Sequence, residues 1–223
     1  MIKAIGYKEW IKTRWYLLLA LLTTLGFTGF ALLRINRVSN LKGIEHVWEI
    51  ILTHDTVFIE ILEYIPLLIG TLFALVQFVP EMYHKCLKLT LHLPFSHLRM
   101  TYGMLVYGLV MLVLCFGSNF LVMYAYLQSI LAPELYTRIL LTACPWYLAG
   151  IAAYLLISWI CLEPTWKRRL FNVIVSALLL RIYFLAPASE AYNSFLPGLT
   201  LGTLLLGILA PLSIVRFKEG KQD

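Results

Sequence analysis

Apolar residues in this chain gather into long runs separated by short polar segments, and the runs have the length a bilayer demands. A helix needs about 20 predominantly apolar residues to cross the hydrocarbon layer. Six runs meet or approach that length: 15–33, 57–79, 102–128, 139–162, 170–186 and 195–215, the fifth being the short one. The pattern predicts an all-α, polytopic membrane protein, a single transmembrane domain over 1–223 with six spanning helices. No internal repeat or low-complexity segment interrupts it.

Composition sharpens the picture. The chain has 223 residues, 61% hydrophobic and 13% charged, where a soluble domain is nearer half apolar and a quarter charged. The net charge of +6 sits mostly in the connections. With six spans, the N-terminus, the second and fourth connections and the C-terminus share one side. That side carries 13 of the 18 Lys and Arg, from Lys3, Lys8, Lys12 and Arg14 to Lys218 and Lys221; the opposite side carries Arg34, Arg37, Lys42 and Arg138. The excess of basic residues on cytoplasmic loops places both termini inside. Glu45, Glu49, Asp55, Glu134 and Glu190 then lie outside. The positive charge is therefore topogenic, and no basic patch interleaved with aromatics points to nucleic acid. Four scattered cysteines, Cys86, Cys115, Cys144 and Cys161, form no CxxC pair and read as small buried hydrophobes.

Two polar segments stand out. Residues 1–14 place Ile2, Ile5, Trp10 and Ile11 against Lys3, Lys8, Lys12 and Arg14. That is either an amphipathic helix lying along the inner leaflet or a basic flank followed by an aromatic belt. The connection at 81–101 alternates apolar and polar residues from Cys86 to Leu93, then carries Pro94, Ser96 and Arg99. A lone strand at a membrane surface lacks backbone partners, so an amphipathic helix, a break at Pro94 and a second helix capped by Ser96 is the alternative. The segment exceeds the roughly 2–8 residues of ordinary helix–helix links.

The stretch PEMYHKCLKLTLHLPFSHLRMTYGML resembles the cytoplasmic connection between the second and third helices of type-2 ABC exporter permeases. The matching positions are Glu81, the leucine run Leu87, Leu89, Leu91 and Leu93, then Pro94, Ser96 and Arg99. The start YKEWIKTRWYLLL is similar to that family's N-terminal connecting helix. The chain departs from the pattern at Lys85-Cys86, where the family often has Gly. The resemblance implies a permease subunit of a bacterial inner membrane, paired with a second copy as a homo- or heterodimer. Residues 81–101 would then be a coupling helix read by a cytoplasmic P-loop ATPase. This chain has no GxxxxGK[ST] motif, so ATP and Mg would be held by that partner, and the chain itself would bind no cofactor and be no enzyme.

Charges within or beside the spans are further candidates, because they are costly there. Glu60 and Glu63 fall on one face near the outer end of the second span, and Arg181 lies in the fifth. They read as outer-gate or pathway residues, with Arg181 either paired to a carboxylate or snorkelling to head groups. Gly198 and Gly202 form a small-xxx-small step for helix packing, and 186–198 is either a re-entrant turn or a plain loop. The five histidines lie outside the spans, and His84, Cys86 and His92 fit no established zinc spacing. No hydrolytic constellation appears. The reading from another class is a non-transporting helical scaffold within a larger complex; an intramembrane enzyme is weaker still.

Overall fold

The computed structural model describes residues 2–42, 59–83, 96–186 and 188–218, and these are all-helical, with no strand among them. Among the described residues seven α-helices follow in order: α1 (Ile2–Lys42), α2 (Ile65–Tyr83), α3 (His97–Leu127), α4 (Pro133–Leu162), α5 (Trp166–Arg181), α6 (Leu196–Leu206) and α7 (Leu209–Lys218). Single 3-10 turns at Glu60–Leu62, Ile182–Phe184 and Asn193–Phe195 lead into or out of them. Among the described residues five stretches are long and apolar enough to cross a membrane: Lys3–Val38, Glu60–Tyr83, Leu98–Leu127, Pro133–Leu162 and Asn193–Arg216.

Residues 2–14 are the first turns of α1, with no break before the apolar run. Nothing local would break it: 2–42 contains no proline, and Glu9 and Thr13 are buried against the bundle. At about 1.5 Å per residue the 41-residue helix is about twice the ~30 Å hydrocarbon thickness. The expected fifth span appears as the 16-residue α5, continued by the turn at 182–184. It starts beside Glu163, whose carbonyl accepts from Arg169 Nη2 at 2.8 Å. It ends where Phe184 stacks on Tyr64 at 5.2 Å. The chain from 166 to 184 therefore runs from the end of α4 to the start of α2. The last expected span is two helices. Pro211 cannot donate to the Gly207 carbonyl and its ring crowds that position, so the helix is interrupted at Gly207 and Ile208, which bond back three residues to Leu204 and Leu205.

α4 is the central element: it touches α2, α3, α5, α6 and α7, most extensively α2. The α2–α4 crossing is made by Gly70 and Gly150. A Cβ on Gly70 would run into the Gly150 carbonyl, and one on Gly150 would lie 2.6 Å from Pro66 O. Backbones in contact leave room for no side chain, as at close crossings in membrane bundles. Around this crossing Phe73, Phe78, Tyr154, Leu112 and Ile139 form the core. In the middle of the bundle Asn119 joins α3 to α1: its Nδ2 donates to Thr24 Oγ1 at 2.7 Å, and Thr28 donates to its Oδ1 at 3.1 Å.

Candidate functional site

The starts of α1, α3 and α5 and the ends of α2, α4 and α7 share one end of the bundle, tied together by side chains described next. Lys12 is the hub. Its ammonium has three protons, and three acceptors receive them: Glu9 Oε1 at 3.1 Å, the Gln77 carbonyl at 2.8 Å and Glu81 Oε1 at 2.9 Å. Lys8 pairs with the same Glu81 oxygen at 2.7 Å. Glu9 is 0% and Glu81 3% exposed, so two buried carboxylates are balanced by the half-buried Lys12 and the exposed Lys8. Burying either charge without a counter-ion would be strongly unfavourable.

The cluster continues through neutral groups into the other helices. Gln77 Nε2 donates to the Met104 carbonyl of α3 at 2.9 Å. Its Oε1 accepts from the Tyr154 hydroxyl of α4 at 2.8 Å. Gly108 makes space for that bond: a Cβ there would meet the Tyr154 ring and hydroxyl and lie 2.6 Å from Gln77 Oε1. Thr13 donates to the Glu9 carbonyl at 2.9 Å. Its single proton being spent, it accepts from Tyr107 of α3, 2.8 Å away. Four helices are thus joined at the point where the chain leaves α2.

A second buried acid lies at the same end. Glu163, 0% exposed, follows α4 and accepts a short hydrogen bond of 2.5 Å from Ser213 of α7, with Arg216 3.5 Å away. α5 carries Arg169, Asn172 and Ser176 along one face; Asn172 and Ser176 are each 2% exposed.

The expected coupling residues divide. Leu87, Leu89, Leu91, Leu93 and Pro94 lie outside the described residues. Glu81 is the buried ion-pair acceptor above. Arg99 is exposed. Ser96 occupies the N-cap position of α3 with extended backbone, yet its side chain makes no capping bond; its carbonyl accepts from Met100 N–H at 3.2 Å. Among the described residues, no other helix lies against Gly198 or Gly202. A Cβ on Gly198 would face only the Phe195 ring, and one on Gly202 would meet nothing within 4 Å.

Glu60 and Glu63 are at the opposite end of α2 and border a cavity of about 260 Å³. Its other walls include Thr142, Pro145 and Trp146 of α4 together with Phe184, Glu190 and Tyr192. The turn at 185–195 is folded onto this end. Tyr192 OH accepts from the Leu185 and Ala186 amides and donates to the Ile182 carbonyl. Arg138 Nη2 donates to Ser189 Oγ at 2.9 Å, and Glu190 is held at φ 60°. Arg181 is exposed at the end of α5, where among the described residues it pairs with no carboxylate. Among the described residues no group of three His, Cys, Asp or Glu side chains is placed to hold a metal ion.

Sequence reasoning singled out Glu81 but not its ion-pair partners Lys8 and Lys12, nor Glu9, Gln77 and Tyr154, which complete the cluster. One signal was present: Gln77 is a lone amide in an apolar run, four residues before Glu81 and so on the same helical face. No family model, curated protein or solved structure matches the chain.

Proposed function

We propose that the chain is the membrane-spanning permease subunit of an ABC transporter. It forms the substrate pathway with a second permease copy and converts ATP hydrolysis on a separate cytoplasmic ATPase into alternating-access export. One observation carries the reading. Glu81, two residues before the end of α2, is ion-paired to Lys8 and Lys12 of α1. Through Gln77 the same cluster reaches α3 and α4. A displacement of the 84–95 connection would therefore be delivered to four helices at once. That is what a coupling segment needs, since packed helices and ion-paired clusters move as units.

In this reading the helices cross a bacterial inner membrane six times, α5 being the fifth crossing, and both termini are cytoplasmic. Thirteen of 18 basic residues on that side support the orientation. ATP and Mg belong to the partner subunit, because this chain has no phosphate-binding loop.

Affinity purification in mild detergent tests the proposal, with ATP hydrolysis measured for the wild type and for Leu91→Asp. The expected result is a stoichiometric P-loop ATPase whose turnover is uncoupled, or whose association is lost, in the variant. If no nucleotide-binding protein elutes while other partners are retained, the permease reading fails and the scaffold reading replaces it.

A further inference from the structure

At the end of the bundle opposite the ionic cluster, the cavity beside Glu60 and Glu63 has walls of a particular chemistry. Its volume of about 260 Å³ is just below the roughly 300–1,000 Å³ of sites for drug-sized ligands. Three aromatic side chains border it, Trp146, Phe184 and Tyr192, and so do three carboxylates, Glu60, Glu63 and Glu190. Among the described residues no Lys or Arg borders it. Arg138, one turn before Thr142 on α4, donates from Nε and Nη2 to Ser189. The carboxylates do not converge as a metal site among the described residues.

A ligand for this cavity must carry positive charge, be small, and present an apolar shell to aromatic faces. We infer that the cavity binds a small organic ammonium ion, its charge facing the carboxylates and its alkyl or aryl surface against Trp146, Phe184 and Tyr192. Aromatic rings attract such cations through their negative faces, most strongly where water is excluded. The carboxylates supply the sign selectivity: an anion of the same shape meets three like charges. The walls are built, since Tyr192 is fixed by three hydrogen bonds to the 182–186 backbone and Phe184 stacks on Tyr64. The ammonium group has two sources, a soluble cation or the head group of a lipid. Binding needs neither ATP nor a partner subunit, so its failure leaves the coupling reading standing.

Calorimetry on the full chain in dodecyl maltoside, which is uncharged, tests this with phenyltrimethylammonium as the probe. Neutral N,N-dimethylaniline and anionic benzenesulfonate are the comparisons. The expected result is saturable binding of the cation, at least tenfold tighter than either comparison. Binding should weaken at least tenfold in the triple variant Glu60→Gln, Glu63→Gln, Glu190→Gln. It should weaken several-fold in Trp146→Leu, which leaves the charges intact. Competition by short-chain phosphatidylcholine but not phosphatidylglycerol would assign the site to lipid head groups, and competition by neither to a soluble cation; both agree with the inference. Equal binding of dimethylaniline overturns it. So does unchanged affinity in the triple variant, or no saturable binding by wild-type protein that elutes as a single helical species.

Discussion

Lys12 decides the energetics of the cluster, because it pairs with both buried carboxylates. Replacing it with Met leaves Glu9, 0% exposed, without its ion-pair partner and leaves Glu81 with Lys8 alone. Breaking a buried ion pair by removing one partner costs about 3–5 kcal/mol. Lys12→Met is therefore expected to lower the thermal midpoint in detergent markedly. Adding Glu9→Gln should restore much of the loss, since a neutral amide no longer needs the ammonium. The two changes are then non-additive by about 0.5–3 kcal/mol; additive losses would show that the groups are not coupled. A gentler probe is Tyr154→Phe. It keeps the ring contacts with Phe73 and Phe78 but removes the donor to Gln77 Oε1. Leaving a buried acceptor unsatisfied costs about 1–3 kcal/mol, and chemical unfolding should register a loss in that range.

For the helices as elements, the crossing of α2 and α4 is the contact most sensitive to a single methyl group. Gly150→Ala would place a Cβ 2.6 Å from Pro66 O, a backbone atom that cannot rotate away. Overpacking of this kind costs about 1–3 kcal/mol. Gly202→Ala should do the reverse. Its Cβ has open space, and a helical Gly-to-Ala change favours the helix by up to about 1 kcal/mol. Thermal unfolding of the two variants in parallel should move in opposite directions. The pair also shows what sequence could and could not reveal. Where helices occur was legible, because bilayer thickness sets the length of the apolar runs and α3, α4 and the paired α6 and α7 fall on them. The Gly70–Gly150 contact was not: each is the single glycine of its helix, and they meet only across the fold. The continuity of α1 escaped for a related reason. A basic flank reads as interfacial until Glu81, far along the chain, supplies a buried partner for Lys8 and Lys12. Glu81 drew notice through the segment it begins; its partners Lys8 and Lys12 on α1, and the Gln77–Tyr154 bond to α4, depend on tertiary packing.

At the scale of the whole molecule, α5 determines the parity of the crossings. Five stretches qualify as spans by length and apolarity. An odd number of crossings would put the two ends of the chain on opposite sides. If α5 crosses as well, the number is even and the ends share a side. By length α5 is marginal: 16 residues reach about 24 Å, against ~30 Å of hydrocarbon. Two features argue that it crosses. The turn at 182–184 prolongs it to the level of Tyr64, as the Phe184 stack shows. Its outward residues Leu170, Phe171, Ile174, Leu178 and Ile182 are exposed and apolar, a surface suited to lipid, while Asn172 and Ser176 turn inward. Lys167, Arg168 and Arg181 near its two ends are exposed and can reach the interfaces, as long basic side chains do. Single-cysteine labelling in intact cells decides the parity, with Cys86, Cys115, Cys144 and Cys161 replaced and a cysteine placed at Lys3 or at Lys221. A membrane-impermeant maleimide should leave both positions unlabelled until the cells are opened, while a cysteine at Ala188 should be labelled from outside. Labelling of Lys221→Cys but not Lys3→Cys in intact cells would mean five crossings. It would also place WKRRL and the C-terminal basic residues on opposite faces, and the orientation drawn from the charge count would fall with it.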